Sequence, residues 1–187
     1  MLENIETDYF KSNDSDLGKI AELYCMTFFK DDYSLENKEN IVRNIRKHAD
    51  YEGFIGLKCK DATGNLIGFA YGYTSLPKQF YRRKIADQLL ENEIDTWLSD
   101  CFEFVELAVE HTYKRLGIAS KLHDELLMKT NCRTAVLTTG VQNKPAVNLY
   151  KKKGWEVVKK DAPIISEDNL QVIMGKKVNG MPPRFPE

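Results

Sequence analysis

The sequence predicts a mixed α/β fold on a central sheet, and three observations carry that reading. Phe102, Phe104, Val105, Leu107, Ala108 and Val109 make a run too continuously apolar for a strand with one wet face, so this strand is covered on both sides. A short turn containing Gly117 and Ala119 follows, and then the period changes to a helical stripe of Leu122, Leu126 and Leu127. Further downstream, the strand-like TAVLTTG passes into a second helical segment that starts at Asn143.

In chain order, Ile5, Tyr9 and Phe10 suggest a first strand. Asp16 to Phe29 reads as a helix with Leu17, Ile20, Ala21, Tyr24 and Phe28 on its apolar side. Ser34 can cap a second helix through about His48, carrying Leu35, Ile41, Val42 and Ile45. Gly53 to Lys60 and Leu66 to Thr74 form a hairpin around the turn signal Asp61-Ala-Thr-Gly-Asn. Residues 75–100 are a helical insertion between the third and fourth strands, with one helix expected over Arg82 to Leu98. After the fourth strand and its helix come a strand near Thr134 to Thr139 and the Asn143 helix, with Pro145 in its first turn and Gly154 at its end. A last strand pair spans Trp155 to Lys160 and Leu170 to Lys177. The expected organisation is a single domain over residues 1–178, with an extended or disordered proline-containing tail over 179–187.

With 187 residues, 42% of them hydrophobic and 29% charged, the chain can bury a substantial core. No apolar stretch is long enough to span a bilayer and MLENIETDYF does not read as a signal peptide, so a cytoplasmic protein without membrane contact is expected. Cys25, Cys59, Cys101 and Cys132 form no CxxC pair and the three histidines lack ligand spacing, so reduced thiols and no metal are expected. Residues 1–100 carry 13 Lys+Arg against 18 Asp+Glu, net −5, and the remainder 14 against 10, net +4. Such fields suit a polyanionic ligand on one part and a cationic one on the other, although halves of a sequence are not halves in space.

The turn YKRLGIA opens its helix with backbone N–H groups that have no acceptor within the helix and carry the positive end of its dipole. An anion can dock there beside Lys114 and Arg115. Together with NKPAVNLYKKKGW, this turn resembles the GNAT superfamily of acyl-CoA N-acyltransferases. Lys114, Gly117 and Ala119 stand at the family's Q/R-x-x-G-x-G/A positions, with Lys replacing the usual Gln or Arg. Asn143, Ala146, Leu149, Tyr150, Gly154 and Trp155 match its second block. The resemblance implies a mostly antiparallel sheet splayed between the fourth and fifth strands, with acetyl-CoA in the notch. It implies pantetheine contacts from the backbone of Leu107 and Val109, pyrophosphate contacts from Arg115, Leu116, Gly117, Ile118, Ala119 and Ser120 with the Lys114 side chain nearby, and a pantetheine contact from Asn143.

Acyl transfer to an amine poses two proton problems. A lysine-like amine with pKa about 10.4 is neutral in only about one molecule in 2,500 at pH 7, a deficit of roughly 4.6 kcal/mol, so a base or water relay must take its proton. Glu103 and Glu106 lie on the fourth strand, on opposite faces by alternation. The resemblance places Glu103 where protein-acetylating members carry a glutamate base, while the apolar neighbours of Glu106 would raise its pKa on burial. At the leaving group, the resemblance gives Tyr150 the role of acid; full proton transfer from an unperturbed tyrosine to a thiolate is uphill by about 2 kcal/mol, so hydrogen bonding to the developing thiolate is the safer role. A covalent route through Cys101 or Cys132 lacks an evident base.

The acceptor is a small-molecule amine or a peptide. Tyr71, Tyr73, Phe80, Tyr81 and Trp97 could make an aromatic pocket, and Asp31 and Asp32 could attract a cation. The alternative function is a catalytically inactive CoA-binding sensor of the same fold. Lys151 to Lys153 read as a solvated helix end rather than a nucleic-acid contact, and edge strands and the insertion are compatible with a homodimer.

Overall fold

A computed structural model describes residues 5–30 and 32–178, and these form seven strands and six α-helices. β1 (Glu6–Tyr9) precedes α1 (Leu17–Phe28) and α2 (Leu35–Ala49); β2 (Ile55–Lys60) and β3 (Leu66–Thr74) form the hairpin; α3 (Phe80–Ala86) and α4 (Glu91–Leu98) precede β4 (Cys101–Val109). A 3₁₀ turn (His111–Tyr113) leads to α5 (Ile118–Lys129), then β5 (Thr134–Gly140), α6 (Lys144–Lys152), β6 (Glu156–Ala162) and β7 (Gln171–Lys177). The strands form one sheet in the order β1-β2-β3-β4-β5-β7-β6. β1 with β2, β2 with β3, and β7 with both β5 and β6 are antiparallel, while β4 and β5 run parallel, with Cys101, Phe102 and Glu103 opposite Thr134, Ala135 and Val136. The expected mixed, mostly antiparallel sheet is thus the observed one.

Two compact units divide the chain, one within Met1–Tyr73 and Val105–Lys129, the other within Thr74–Phe104 and Thr130–Glu187. In the first, Phe10, Leu17, Ile20, Leu23, Ile45, Phe69, Tyr71 and Ala108 form the core. Ser34 caps α2 as expected: its hydroxyl accepts from the Asn37 N–H, and the Asn37 side chain returns a bond to the Ser34 backbone. Asp16 stands at the N-cap of α1 without a capping hydrogen bond. Its carboxylate is engaged instead by Lys60 at 2.7 Å and by Lys58 at 2.9 Å, and Lys58 also holds both oxygens of Asp14 at 2.8 and 2.9 Å. Lys58 is only 7% exposed, so β2 buries a cation and α1 begins where that cation finds its partners.

The second unit is built on Ile85, Trp97, Leu98, Cys101, Val136, Ala162, Ile164 and Ile173. The single helix expected over Arg82 to Leu98 is two helices. α3 starts at Phe80 and ends at Ala86, and the chain turns extended at Leu90 (φ −75°, ψ 159°), whose N–H is taken by the Glu93 carboxylate at 2.8 Å. The apolar spacing runs through this break, but Glu93 supplies an acceptor that starts a new helix. Trp97, expected in an aromatic acceptor pocket, is a core residue instead, its ring packed against Gly175 of β7. A Cβ added at Gly175 would come within 2.5 Å of that ring. Gly175→Ala should therefore destabilise the protein by about 1–3 kcal/mol, read as a lower urea midpoint at unchanged slope.

The tail expected to be extended over 179–187, and Asp31 of the expected acceptor region, lie outside the described residues.

Candidate active site

In the first unit, the end of β4 and the turn after it carry the residues expected to hold the cofactor. Leu107 is half-buried and Val109 buried. The Glu110 carboxylate accepts from the N–H and hydroxyl of Thr112, starting the 3₁₀ turn, and the Tyr113 N–H returns to the Glu110 carbonyl at 3.0 Å. Lys114 is extended, Arg115 is left-handed (φ 65°) and Gly117 is left-handed (φ 84°). A left-handed arginine is uncommon, because its Cβ crowds the following carbonyl. Lys114, Arg115, Leu116 and Gly117 are exposed, Ala119 and Ser120 half-buried, and Ile118 is buried. Gly68 of β3 lets α5 approach the sheet: a Cβ there would meet Leu122 at 3.1 Å and both Ile118 and the Ala108 carbonyl at 3.3 Å. The result is an exposed basic turn delivering a firmly seated helix N-terminus, an arrangement suited to a phosphate.

Glu106 also belongs to this unit and is half-buried on β4. Burial pushes its carboxyl up to about 8, the direction expected from its apolar flanks. A carboxylate of that basicity can take a proton near neutral pH.

The second unit carries Glu103, Asn143 and Tyr150. Glu103 is 2% exposed and accepts from the Ser75 hydroxyl at 3.2 Å. Burial lowers the pKa of Arg82, and the nearby Glu103 carboxylate opposes that shift. The Arg82 Nη2 donates to the Leu98 carbonyl at 3.2 Å. Asn143 caps α6 through a long contact, its Oδ1 3.4 Å from the Ala146 N–H, with Pro145 in the first turn; Gly154 (φ 79°) follows the helix end as expected. Tyr150 is 8% exposed, and its ring meets Phe104 and Trp155 edge-on at 6.0 and 5.8 Å, while Phe104 and Trp155 meet each other at 6.0 Å. Three rings in mutual edge contact fix the direction of the Tyr150 hydroxyl.

Cys101 and Cys132 are both buried, and burial raises both thiols. That is opposite to the lowered pKa of an activated nucleophile, so the structure gives a covalent route no support. Of the aromatic residues expected around the acceptor, Phe80 is exposed beneath the Lys84 ammonium, and the Tyr81 hydroxyl shares a 2.6 Å bond with Thr138. Tyr71 and Tyr73 are buried in the first unit against His48, which burial and Lys47 push down to about 4 and whose Nδ1 lies 3.1 Å from the Tyr71 hydroxyl. Among the described residues there is no cluster of three His, Cys, Asp or Glu able to hold a metal, and no helix long and apolar enough to cross a membrane.

The sequence matches the Acetyltransferase (GNAT) family over residues 17–155. The chain belongs to the GNAT family. No curated protein matches the sequence. Among solved structures, this GNAT protein is similar to Arabidopsis thaliana NAA60 in complex with acetyl-CoA, with 21% identity, TM-score 0.66, and 94% of this chain and 99% of that one covered. It is also similar to the ribosomal-protein-S18-alanine N-acetyltransferase of Escherichia coli (14%, 0.64, 98% and 99%) and to the spermidine/spermine N-acetyltransferase SpeG of Vibrio cholerae (18%, 0.60, 94% and 93%). At these identities the likeness is one of fold.

Sequence reasoning missed two residues beside the turn expected to hold the cofactor. Asp61 reads as an ordinary turn aspartate and Tyr113 as part of a basic turn, yet the Tyr113 hydroxyl donates to Asp61 Oδ2 at 2.8 Å. Their separation of 52 residues leaves no local pattern to find.

Proposed function

We propose that this GNAT protein transfers an acetyl group from acetyl-CoA to a primary amine of a small molecule or peptide, directly and without a covalent enzyme intermediate. The observation that carries the reading is the exposed basic turn with left-handed Arg115 and Gly117 opening α5, in a chain of the GNAT family. The amides of Arg115 to Ser120 bind the pyrophosphate with Lys114 and Arg115 alongside, the backbone of Leu107 and Val109 pairs with pantetheine, and Asn143 contacts pantetheine. Glu106 takes the proton of the attacking amine, directly or through water; its raised pKa favours it over Glu103, which is engaged with Ser75. The C–N bond forms as the C–S bond breaks, and the Tyr150 hydroxyl hydrogen-bonds the departing sulfur, which leaves as the thiolate and then takes a proton from water.

The fold is shared with enzymes whose acceptors are, by their names, a ribosomal-protein alanine and the polyamines spermidine and spermine, so peptides and polyamines are the acceptors to try first. The reading includes a cytoplasmic setting, where buried thiols stay reduced, and no metal. Its test is thiol release from acetyl-CoA over a panel of peptides with free amino termini, spermidine and simple alkylamines. Tyr150→Phe should lower kcat by about 10²-fold with the Kd for CoA within about twofold of native. CoA binding by the native protein with no release for any acceptor overturns the transferase reading.

A further inference from the structure

We infer that Asp61 and Tyr113 are positioning residues for the CoA diphosphate: their hydrogen bond braces the entry of the pyrophosphate-binding turn against the β2–β3 hairpin. The inference rests on the proposed use of CoA by that turn. Lys114 to Gly117 are exposed and include two left-handed residues, of which Arg115 costs on the order of 1 kcal/mol to hold there. Left alone, such a turn samples other conformations, and a diphosphate would bind only the fraction with its N–H groups aligned.

The exit of the turn is fixed by α5, through buried Ile118 and the close seat of Leu122 at Gly68. At the entry, the Glu110 N–H donates to the Ile67 carbonyl at 2.8 Å, and three residues later the Tyr113 hydroxyl reaches Asp61. The acceptor is itself rigid. Asp61 Oδ1 receives the N–H of Thr63 at 2.9 Å, the Thr63 hydroxyl at 2.8 Å and the N–H of Asn65 at 2.9 Å, while Oδ2 receives the Asn65 amide at 3.2 Å as well as Tyr113. Tyr113 thus ties the residue before Lys114 to a carboxylate that the hairpin turn has already locked. The bond to Thr63, and then those to Asn65 and Tyr113, hold the Asp61 carboxyl well below the usual carboxylate range, so the acceptor stays charged throughout the neutral range.

A brace of this kind affects only the part of the donor that the turn holds. The test compares acetyl-CoA with S-acetylpantetheine, which carries the same thioester and lacks the diphosphate and nucleotide. Tyr113→Phe, which deletes one oxygen, should raise the Kd of CoA and the KM of acetyl-CoA about 3- to 10-fold with kcat within about twofold, and leave kcat/KM for S-acetylpantetheine within about twofold. Asp61→Ala should show the same split, and adding Tyr113→Phe to it should cause no further loss for acetyl-CoA. If Asp61→Ala folds poorly, Tyr113→Phe alone decides. Equal losses for both donors, or none for acetyl-CoA, overturn the brace while the native protein's CoA binding leaves the proposed function standing. Absence of CoA binding by the native protein overturns both.

Discussion

Glu106→Gln is expected to lower kcat/KM for an alkylamine acceptor by about 10²- to 10⁴-fold while CoA still binds. Burial raises this carboxyl to about 8, so at pH 7 about one molecule in ten holds it ionised and able to accept a proton. The native rate should therefore climb about tenfold between pH 7 and 9 on account of Glu106, beyond the rise that follows deprotonation of an alkylamine nearer pH 10. In the Gln variant that component disappears and only the rise due to the amine remains. Stability moves the other way. A carboxyl whose folded pKa lies above its ordinary 4.5 contributes most below pH 4.5, and the contribution is lost as pH rises through about 8. Relative to native, the Gln variant should thus gain stability over that window in urea titrations. Loss of activity accompanied by loss of stability, or an unchanged pH profile, would remove Glu106 from the role of base.

The largest stability effect should come from Lys58→Met. The substitution leaves the Asp14 carboxylate without the ammonium that holds both its oxygens, while Lys60 still engages Asp16. Removing one partner of a buried ion pair costs about 3–5 kcal/mol, and the retained Lys60 contact argues for the lower end, a fall in Tm of about 6–12 °C. The pH dependence has a definite sign. Hydrogen bonds from Lys60 and Lys58 hold Asp16 well below the usual carboxylate range, so its contribution is present above about pH 3.8 and is lost as pH falls further. Burial lowers the Lys58 pKa, but its bonds to Asp14 and Asp16 more than offset this and raise it, so its contribution is present below 10.5 and lost above. The difference between native and Lys58→Met should be widest near neutrality and shrink in strong acid. A difference that does not vary with pH would mean that Met fails for reasons of shape.

What the sequence made legible was local. The Ser34 box, the Asp61 turn, the Asn143 cap and the Gly154 helix end each lie within five residues of the groups they serve, and each was found where expected. The break between α3 and α4 was also local, but its signal, Glu93 reaching back to Leu90, is hidden in a stretch whose apolar spacing continues across it. Lys58 looks like any strand lysine, because the aspartates that bury it lie 42 and 44 residues away. The same holds for Trp97, whose place is decided by a glycine on β7. For the active site, residue types and spacing nominated two glutamates but could not rank them. That ranking needs the desolvation of Glu106 and the hydroxyl on Glu103, which are properties of the packed chain.

The four cysteines give the protein built-in reporters of opening. All are buried and burial raises the pKa of each thiol, so a thiol-directed reagent finds them only when the surrounding structure comes apart. Cys25 and Cys59 belong to the unit that carries the basic turn before α5, Cys101 and Cys132 to the unit that carries Tyr150. The order in which the two pairs become alkylated, residue by residue in a mass spectrum, therefore tells which unit of this GNAT protein lets go first, without any added probe.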